Sequence, residues 1–353
     1  MGDWKKNLRV VDPYIPGEQP KQENMIKLNT NENPYPPAPG VEKVLKSMET
    51  GDFRLYPKPD ARELVDALAK EYQIPAEQVF VGVGSDDVLG MAFLTCFNSE
   101  KPVLFPDITY SFYPVWADLF KIPYNRPALD ENFCIKKEDY FVENGGIVIA
   151  NPNAPTSIAM PLSDIEEIIA KNPDSVVIID EAYVDFGGES ALPLVKKYEN
   201  LLVVQTFSKS RSMAGMRIGF AIGSRALIDA MYAVRNSYNS YTMNMPSILC
   251  GVEAVEDYDY FMEKVSAIIK TRMDTAEKLT QLGFKVLPSS ANFLFAAHET
   301  VPAEELFLML REKHIYVRYF KQPRISNYLR ITIGTPEQMD VFLKEVESYL
   351  KAK

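Results

Sequence analysis

The sequence of 353 residues has only three cysteines and two histidines. Cys96, Cys134 and Cys250 lie far apart and form no CxxC pair, which argues against a disulfide framework or a zinc site, so we expect reduced, buried thiols. His298 and His314 have no companion at a metal-ligand spacing. We therefore predict no metal, and any acid–base chemistry must use other side chains.

The sequence also lacks an excess of positive charge and any long apolar run. With 38 basic and 48 acidic residues, the formal net charge is −10, which argues against nucleic acid or an anionic membrane as the main partner. No stretch approaches the roughly 20 apolar residues of a membrane span. The charged residues at the start of the chain precede no apolar segment typical of a signal peptide. We therefore expect a cytoplasmic protein.

What the sequence does contain is an alternation of helical patterns with short apolar segments, most of which end in polar residues. Four such segments predict strands buried on both faces: 145–150, 176–180, 201–206 and 218–223. Amphipathic patterns predict helices at 41–48, 61–72 and 163–169, the last with Ser163 as its N-cap. We expect the α/β fold class: a large domain with a mostly parallel sheet and helices on both faces.

The last hundred residues have a different pattern, typical of a smaller α+β domain. A long helical stretch at about 252–282, bent or broken, opens it. Strands are predicted at 284–287, 293–296, 315–320 and 328–333, and helices at 304–313 and 336–351. We predict three parts: an N-terminal arm (1–35) packing near the small domain, a large cofactor-binding domain (36–250) and the small domain (251–353).

Polar residues follow three consecutive strands of the predicted sheet. They are the segment 151–156 (NPNAPT), the segment 180–183 (DEAY), and the segment 206–210 (TFSKS) with Arg217 eight positions after its lysine. In open α/β sheets, ligands bind beyond the carboxyl ends of the strands. We therefore expect these residues to share one site.

Their side chains suit the parts of pyridoxal phosphate. Lys209 can form an imine with the aldehyde and later act as a base. Asp180 can pair with the pyridine nitrogen and keep it protonated, which makes the ring an electron sink. Asn153 and Tyr183 could donate hydrogen bonds to the ring oxygen.

Other residues suit the phosphate group and the ring face. Arg217 and the Ser208 hydroxyl could bind the phosphate. The glycine-containing segment that leads into Ser85 and Asp86 could offer free backbone N–H groups at a helix start, with the Asp86 N–H rather than its carboxylate facing the anion. Tyr110 could stack on the ring. Each residue alone is ordinary, and only their occurrence in order on successive strands supports a cofactor site.

These motifs resemble those of the fold type I aminotransferases, and among them the histidinol-phosphate aminotransferases. The resemblance covers nearly the whole chain. Besides the segments above it rests on residues 13–17 (PYIPG), 29–35 (NTNENPY), 55–57 (LYP), 82–86 (GVGSD), 215–220 (GMRIGF) and 328–332 (YLRIT), together with Arg318.

The resemblance implies roles that the residues alone do not establish. Lys209 would hold the cofactor as a Schiff base, with Asp180 and Tyr183 as the other catalytic residues. Tyr56 would reach the phosphate from the neighbouring subunit of a homodimer. Three residues would bind the anionic end of the substrate: Tyr14, Arg318 and Arg330.

The implied activity is amino transfer between L-histidinol phosphate and 2-oxoglutarate, as in histidine biosynthesis. Three alternatives remain open: an aromatic amino acid aminotransferase, a pyridoxal-phosphate-dependent decarboxylase of a phosphorylated amino acid, and a cofactor-binding regulator without turnover. The chain departs from the family at Ser157, where glycine is usual, and at Asp87, where glutamate is common. A serine should not adopt a positive φ comfortably, so we do not expect one at Ser157.

Overall fold

The computed structural model describes residues 3–22 and 24–353 and contains two β-sheets. The strands are β1 (Ile26–Leu28), β2 (Val79–Gly82), β3 (Val103–Leu104), β4 (Tyr124–Asn125), β5 (Gly146–Ala150), β6 (Val177–Asp180), β7 (Leu201–Thr206), β8 (Gly219–Gly223), β9 (Phe284–Val286), β10 (Phe293–His298), β11 (Ile315–Tyr319) and β12 (Leu329–Thr332). The helices are α1 (Pro39–Ser47), α2 (Arg62–Glu71), α3 (Ser85–Cys96), α4 (Phe112–Phe120), α5 (Leu162–Lys171), α6 (Arg225–Tyr238), α7 (Met245–Glu256), α8 (Tyr258–Gln281), α9 (Ala303–Glu312) and α10 (Pro336–Ala352).

The larger sheet has seven strands in the order β2-β8-β7-β6-β5-β3-β4. Strands β4, β3, β5, β6 and β7 are parallel, whereas β8 runs antiparallel to both of its neighbours. The four apolar segments predicted as buried strands are therefore confirmed as β5 to β8. Every residue of these strands is buried, as expected for a sheet covered on both faces.

Helices cover the two faces of this sheet, and alternate strand residues belong to two separate cores. Ile147, Ile149 and Ile179 face one core, which α1, α2, α5 and α7 complete. Val148 and Ile178 face the other, which α3, α4 and α6 complete. Side chains in a strand alternate between faces, so the apolar sequence of these strands fills both cores. The predicted fold class is thus confirmed.

The smaller sheet has five strands in the order β1-β11-β12-β10-β9. Its first strand comes from the N-terminal arm, which pairs in parallel with β11. Helices α8, α9 and α10 pack with this sheet around a third core. The arm thereby runs from the small sheet across to the large one and passes the edge where the strand-end residues lie.

One local prediction was wrong, and another, that the long helical stretch is bent or broken, is confirmed. Helix α5 begins at Leu162 after Pro161, and no side chain caps it, so the prediction that Ser163 is the N-cap was wrong. The long stretch predicted as bent or broken is two helices, α7 and α8, separated at Asp257. A domain boundary after residue 250 would cut α7, whose buried residues belong to the core of the larger unit. Within the described part of the chain, no helix is long and apolar enough to cross a membrane.

Candidate active site

The polar strand ends predicted to form one site lie side by side. β6 pairs in parallel with both β5 and β7, which places Asp180 between Ala150 and Val204. These ends open into a cavity of about 490 Å³ between the two sheets and the arm. The cavity is lined by eleven of the thirteen predicted site residues: Tyr14, Ser85, Asp86, Tyr110, Asp180, Tyr183, Ser208, Lys209, Arg217, Arg318 and Arg330.

The Lys209 amine is half-buried in this cavity and only lightly engaged. Its Nζ donates to the Thr30 carbonyl at 3.2 Å and lies 5.7 Å from the centroid of the Tyr183 ring. Its backbone is held from the arm, because the Asn33 amide donates to the carbonyls of Lys209 and Ser210 at 3.0 and 3.1 Å. The lysine backbone is therefore fixed while the amine stays free to react.

Asp180 is a buried carboxylate at the base of the cavity, and its side chain is held by two hydrogen bonds. It is 5% exposed, and burial raises its pKa to about 6. The Tyr113 hydroxyl donates to it at 2.7 Å and the Ala182 N–H at 3.2 Å, both of which lower the pKa against the effect of burial. A cation placed opposite this carboxylate would favour its charged form further.

The opposite end of the cavity has the groups expected of a phosphate site. Helix α3 begins at Ser85 directly after Gly84, whose φ is +84°. The Arg217 guanidinium lies beside this helix start, 3.4 Å from the Ser208 hydroxyl. A Cβ at Gly84 would lie 2.5 Å from Arg217 Nη2, the end of a flexible side chain, so it is the positive φ that requires glycine here. Backbone N–H groups, a hydroxyl and a guanidinium are a donor set that suits a phosphate.

Asp86 has its carboxylate turned to two neighbouring side chains. It accepts from the Tyr110 hydroxyl at 2.8 Å and pairs with Arg217 at 3.3 Å. Burial and this carboxylate raise the pKa of Tyr110 well above its ordinary value, so the phenol stays protonated. The expectation that the Asp86 N–H rather than the carboxylate faces an anion stays a prediction, as does stacking of Tyr110 on a ring.

Asn153 does not point into the cavity, contrary to the role predicted for it. Its amide donates to the Ile108 carbonyl and to Thr156, both at 2.9 Å, and accepts from the Thr109 hydroxyl at 2.7 Å. The side chain is buried and both of its hydrogens are used within the protein, so none is left for a ligand. Its neighbour Ala154 lines the cavity instead. In this structure Asn153 holds the loop after β5, and its predicted role toward the ring oxygen stays a prediction.

Ser157 adopts the positive φ that serine was predicted to disfavour. Its φ is +67° and it is fully buried. Its N–H donates to the Asn153 carbonyl at 2.8 Å and its hydroxyl to the Pro288 carbonyl at 3.1 Å. The second bond joins the loop to the small domain, an attachment that glycine could not make.

Two arginines lie opposite each other at the mouth of the cavity. Arg318 on β11 and Arg330 on β12 are direct cross-strand partners. Arg330 Nη2 donates to the Asn29 carbonyl at 2.9 Å, while its buried Nε has no partner in the described structure. Burial lowers the pKa of Arg330 from its usual value, and the positive charge of Arg318 lowers it further. Like charges held this close destabilise each other unless an anion lies between them.

Tyr14 brings the arm to the same mouth. Its ring stacks on Phe112 with centroids 4.5 Å apart. Burial raises the pKa of the Tyr14 hydroxyl, and the two arginines oppose that shift. The hydroxyl is therefore a neutral hydrogen-bond donor beside two cations. Such a set of groups suits the anion site predicted from the sequence.

Tyr56 does not line this cavity. It is 81% exposed, and its ring lies 4.7 Å from that of Tyr241, which is also exposed. Its predicted role toward a neighbouring subunit stays a prediction.

Several residues that line or support the cavity were missed by the sequence analysis. Tyr113 holds Asp180, Asn33 holds the Lys209 backbone, and Asn31 donates to the Tyr183 hydroxyl at 2.9 Å. The two asparagines lie in a segment already noted for its motif, 29–35, but their targets are more than 150 positions away in the chain. Only the fold shows those contacts.

The residues present fit pyridoxal phosphate. The cavity combines a free amine at Lys209, a buried carboxylate at Asp180 and a phosphate-type donor set at Arg217. Asp180 ends β6, Lys209 follows β7 and Arg217 precedes the antiparallel β8, so the three groups meet at one edge of the sheet. A flat aromatic phosphate has groups to match all three. This geometry is that of a protein that binds pyridoxal phosphate.

The chain belongs to the family of class I and II aminotransferases, whose model matches residues 23–346. It is 51% identical over 348 residues to the histidinol-phosphate aminotransferase of Lactococcus lactis subsp. lactis (strain IL1403), covering 99% of this chain and 97% of that one. It is 49% identical over 347 residues to the enzyme of the same name from Clostridium botulinum (strain Langeland / NCTC 10281 / Type F), covering 98% of each. The sequence-based assignment to the histidinol-phosphate aminotransferases is confirmed, as is pyridoxal phosphate as the cofactor.

The fold agrees with a solved structure as well. A putative histidinol-phosphate aminotransferase from Erwinia carotovora atroseptica SCRI1043 superposes with a TM-score of 0.86 at 24% identity, covering 93% of this chain and 97% of that one. At this identity the likeness concerns the fold, so the roles of individual residues rest on the geometry described above.

Proposed function

We propose that this chain catalyses amino transfer between L-histidinol phosphate and 2-oxoglutarate, giving imidazole acetol phosphate and L-glutamate in histidine biosynthesis. The observation that carries the choice of substrate is the cross-strand pair Arg318 and Arg330, beside the Tyr14 hydroxyl. Within residues 3–22 and 24–353, no carboxylate forms an ion pair with either guanidinium. A phosphate dianion from the substrate would supply the missing negative charge.

The cofactor would be held at three points. The backbone N–H groups at the start of α3, the Ser208 hydroxyl and Arg217 would bind its phosphate. Asp180 would pair with the ring nitrogen, and Tyr183 would donate to the ring oxygen. Lys209 would hold it covalently, and Tyr110 would cover one face of the ring.

Once bound, the cofactor supplies an electron sink for the bond that breaks at the substrate α-carbon. Asp180 keeps a proton on the ring nitrogen, for which a buried carboxylate held by Tyr113 is well placed. Lys209 would take up the α-proton and later return a proton, because among the described residues its amine hydrogen-bonds only to the Thr30 carbonyl. Arg330 and Arg318 orient the anionic end of the substrate.

Arg318→Ala tests the substrate assignment. Hydrogen bonds to charged groups contribute about 1.5–3 kcal/mol each. The variant should therefore lose roughly ten- to a hundredfold in kcat/KM for histidinol phosphate. The glutamate half-reaction should lose much less, because a carboxylate carries less charge than a phosphate dianion and Arg330 remains. The measurement is single-turnover kinetics of both half-reactions.

Arg225→Ala is the matched control, since Arg225 is an exposed arginine paired only with Asp229 on the same helix; both half-reactions should be unchanged. Equal losses in the two half-reactions of Arg318→Ala would contradict the substrate assignment. A wild-type preference for phenylalanine over histidinol phosphate would favour the aromatic aminotransferase. Release of carbon dioxide from a phosphorylated amino acid would favour the decarboxylase, and absence of any turnover the regulator.

We also propose that the active form is a cytoplasmic homodimer. Support for the dimer comes from exposed apolar side chains. The Tyr56 ring contacts that of Tyr241, and their near neighbours in the chain, Phe53, Leu55 and Tyr238, are exposed as well. Exposed apolar surface is typical of subunit interfaces. Support for the compartment comes from three unpaired thiols, Cys96, Cys134 and Cys250. For the domains we propose the predicted arm (1–35), large domain and small domain, with the boundary between the last two moved from residue 250 to Asp257, where α7 ends and α8 begins.

A further inference from the structure

Asn31 connects the site to the small domain through a set of four hydrogen bonds. It is 1% exposed and has a φ of +57°. Its side-chain Nδ2 donates to the Tyr183 hydroxyl at 2.9 Å. Its N–H donates to Thr332 Oγ1 at 3.1 Å, the Thr332 hydroxyl donates to Asn31 Oδ1 at 2.9 Å, and Asn292 donates to the Asn31 carbonyl at 3.0 Å. Thr332 and Asn292 belong to the small domain, whereas Tyr183 belongs to the large one.

The orientation of the Asn31 amide follows from its partners. Thr332 Oγ1 already accepts the Asn31 N–H, and its own hydrogen has no acceptor other than Asn31 Oδ1 in the described part of the chain. If the amide were turned over, the buried Thr332 hydroxyl would lose that acceptor, which carries a penalty. The NH₂ group must therefore face Tyr183.

The direction of the Tyr183 hydrogen follows in turn. Because its oxygen accepts from Asn31, the hydroxyl hydrogen points elsewhere, and the residues that the structure describes offer it no acceptor. Tyr183 lines the cavity and is a predicted donor to the ring oxygen of the cofactor.

We propose that Asn31 is a positioning residue: it turns the Tyr183 hydroxyl hydrogen into the cavity, toward the ring oxygen of the bound cofactor, and it ties this donor to the small domain through Thr332. The proposal rests on the proposed role of Tyr183. It does not depend on which amino donor the enzyme uses.

Asn31→Gly removes the side chain without straining the backbone, because glycine adopts a φ of +57° freely. The readout is the pH midpoint of the visible absorbance of the bound cofactor in the substrate-free holoenzyme. A hydrogen bond donated to the ring oxygen stabilises its anionic form and so favours proton loss from the chromophore. Losing an oriented donor should therefore raise the midpoint, by about half a unit to one unit.

The full experiment compares Asn31→Gly, Tyr183→Phe and the double variant. We expect both single variants to raise the midpoint and the double variant to match Tyr183→Phe, because Asn31 acts through the tyrosine hydroxyl. Asn24→Gly is the matched control: Asn24 is an exposed asparagine of the same arm with a φ of +58°, and its variant should titrate like the wild type. If Asn31→Gly does not fold, Asn31→Asp replaces it, because aspartate keeps the shape of asparagine but its ionised carboxylate can only accept hydrogen bonds. Its added charge will shift the midpoint by itself. The rest of the midpoint shift in Asn31→Asp should disappear when Tyr183→Phe is added.

A wild-type midpoint in Asn31→Gly, together with a raised one in Tyr183→Phe, would overturn the proposal for Asn31 alone. So would a shift from Asn31→Gly that persists undiminished in the Tyr183→Phe background, because Asn31 would then act by another route. An unchanged midpoint in Tyr183→Phe would overturn the role of Tyr183 in the proposed function, and this inference with it.

Discussion

At the scale of single residues, Asp180 and Glu181 show how neighbouring carboxyl groups acquire different surroundings. Both are buried, and burial raises the pKa of Asp180 to about 6 and that of Glu181 to about 7. Asp180 faces the cavity, where a cationic ligand can meet it. Glu181 faces the interior, where it accepts from the Ala191 N–H, Ser190 and Gln205. Only the first has a charge available for binding.

The cofactor-free protein should show the cost of burying the Asp180 charge. A carboxyl whose folded pKa is raised contributes stability that is fully present below its unfolded pKa of 3.8 and is lost as pH rises through about 6. Between pH 5 and pH 7.5, the wild type should therefore lose about 1.4 kcal/mol of unfolding free energy relative to Asp180→Asn, which cannot ionise. Urea unfolding of both proteins at the two pH values measures this.

Glu181 is the same in both proteins, so its titration cancels in that comparison. A difference between wild type and Asp180→Asn that does not change with pH would contradict a raised pKa at Asp180. In the holoenzyme the difference should shrink or reverse, because a protonated ring nitrogen opposite Asp180 stabilises its charge.

At the scale of elements, the phosphate end depends on how closely β8 approaches the start of α3. A Cβ at Gly219 would lie 2.3 Å from the Gly84 carbonyl carbon and from the Ser85 nitrogen. Both of those atoms are backbone at the helix start, so they cannot move aside as a flexible side chain would. The antiparallel pairing of β2 with β8 brings these glycines together, with Gly82 opposite Gly219.

Gly219→Ala should displace the start of α3 and weaken phosphate binding. Overpacking of this kind costs about 1–3 kcal/mol of stability. We therefore expect a lower melting temperature and an at least tenfold higher dissociation constant for the cofactor. Gly215→Ala is the control from the same motif, since a Cβ there meets nothing within 4 Å. Calorimetry and cofactor titration test both variants. Equal behaviour of the two would show that the close approach does not constrain the site.

At the scale of the whole molecule, the site lies between two sheets that the chain connects through the arm and through α7 and α8. The arm carries Tyr14 and Asn31 to the cavity, while β11 and β12 carry the two arginines. Binding of a substrate between them would therefore favour one relative placement of the two domains. The exposed Tyr56 points to a further level of assembly.

If Tyr56 serves the site of a second subunit, lesions in two different subunits should complement each other. Tyr56→Phe should weaken cofactor binding, and Lys209→Ala should be inactive. A mixed dimer would contain one site with both lesions and one with neither, so mixing the two proteins should restore activity. The measurement is activity after subunit exchange, which mass spectrometry of differently tagged subunits checks.

Exchange without any recovery would mean that Tyr56 acts within its own subunit. A monomeric wild type by light scattering would contradict the dimer itself and would leave the aminotransferase assignment unaffected.

The sequence by itself determined the strands and the residues at their ends. Runs such as 176–179 and 201–204 are apolar at every position, which is typical of strands covered on both faces, and their order along the chain brought Asp180 and Lys209 to neighbouring strand ends. These signals are local, so the strands could be predicted without the tertiary structure. The class of cofactor followed from the chemistry of those side chains.

Only the tertiary structure decided which way several side chains face. Asn153 and Ala154 are adjacent, and the turn after β5 directs the alanine to the cavity and the asparagine to the loop. The helix signal at Ser163 was misleading, because that helix begins one residue earlier, at Leu162, with Pro161 in the N-cap position. The register that places Arg318 opposite Arg330 and the contact of Asn31 with Thr332 depend on pairings between distant parts of the chain. Such contacts form because packing of whole elements outweighs local preference, and no short stretch of sequence encodes them.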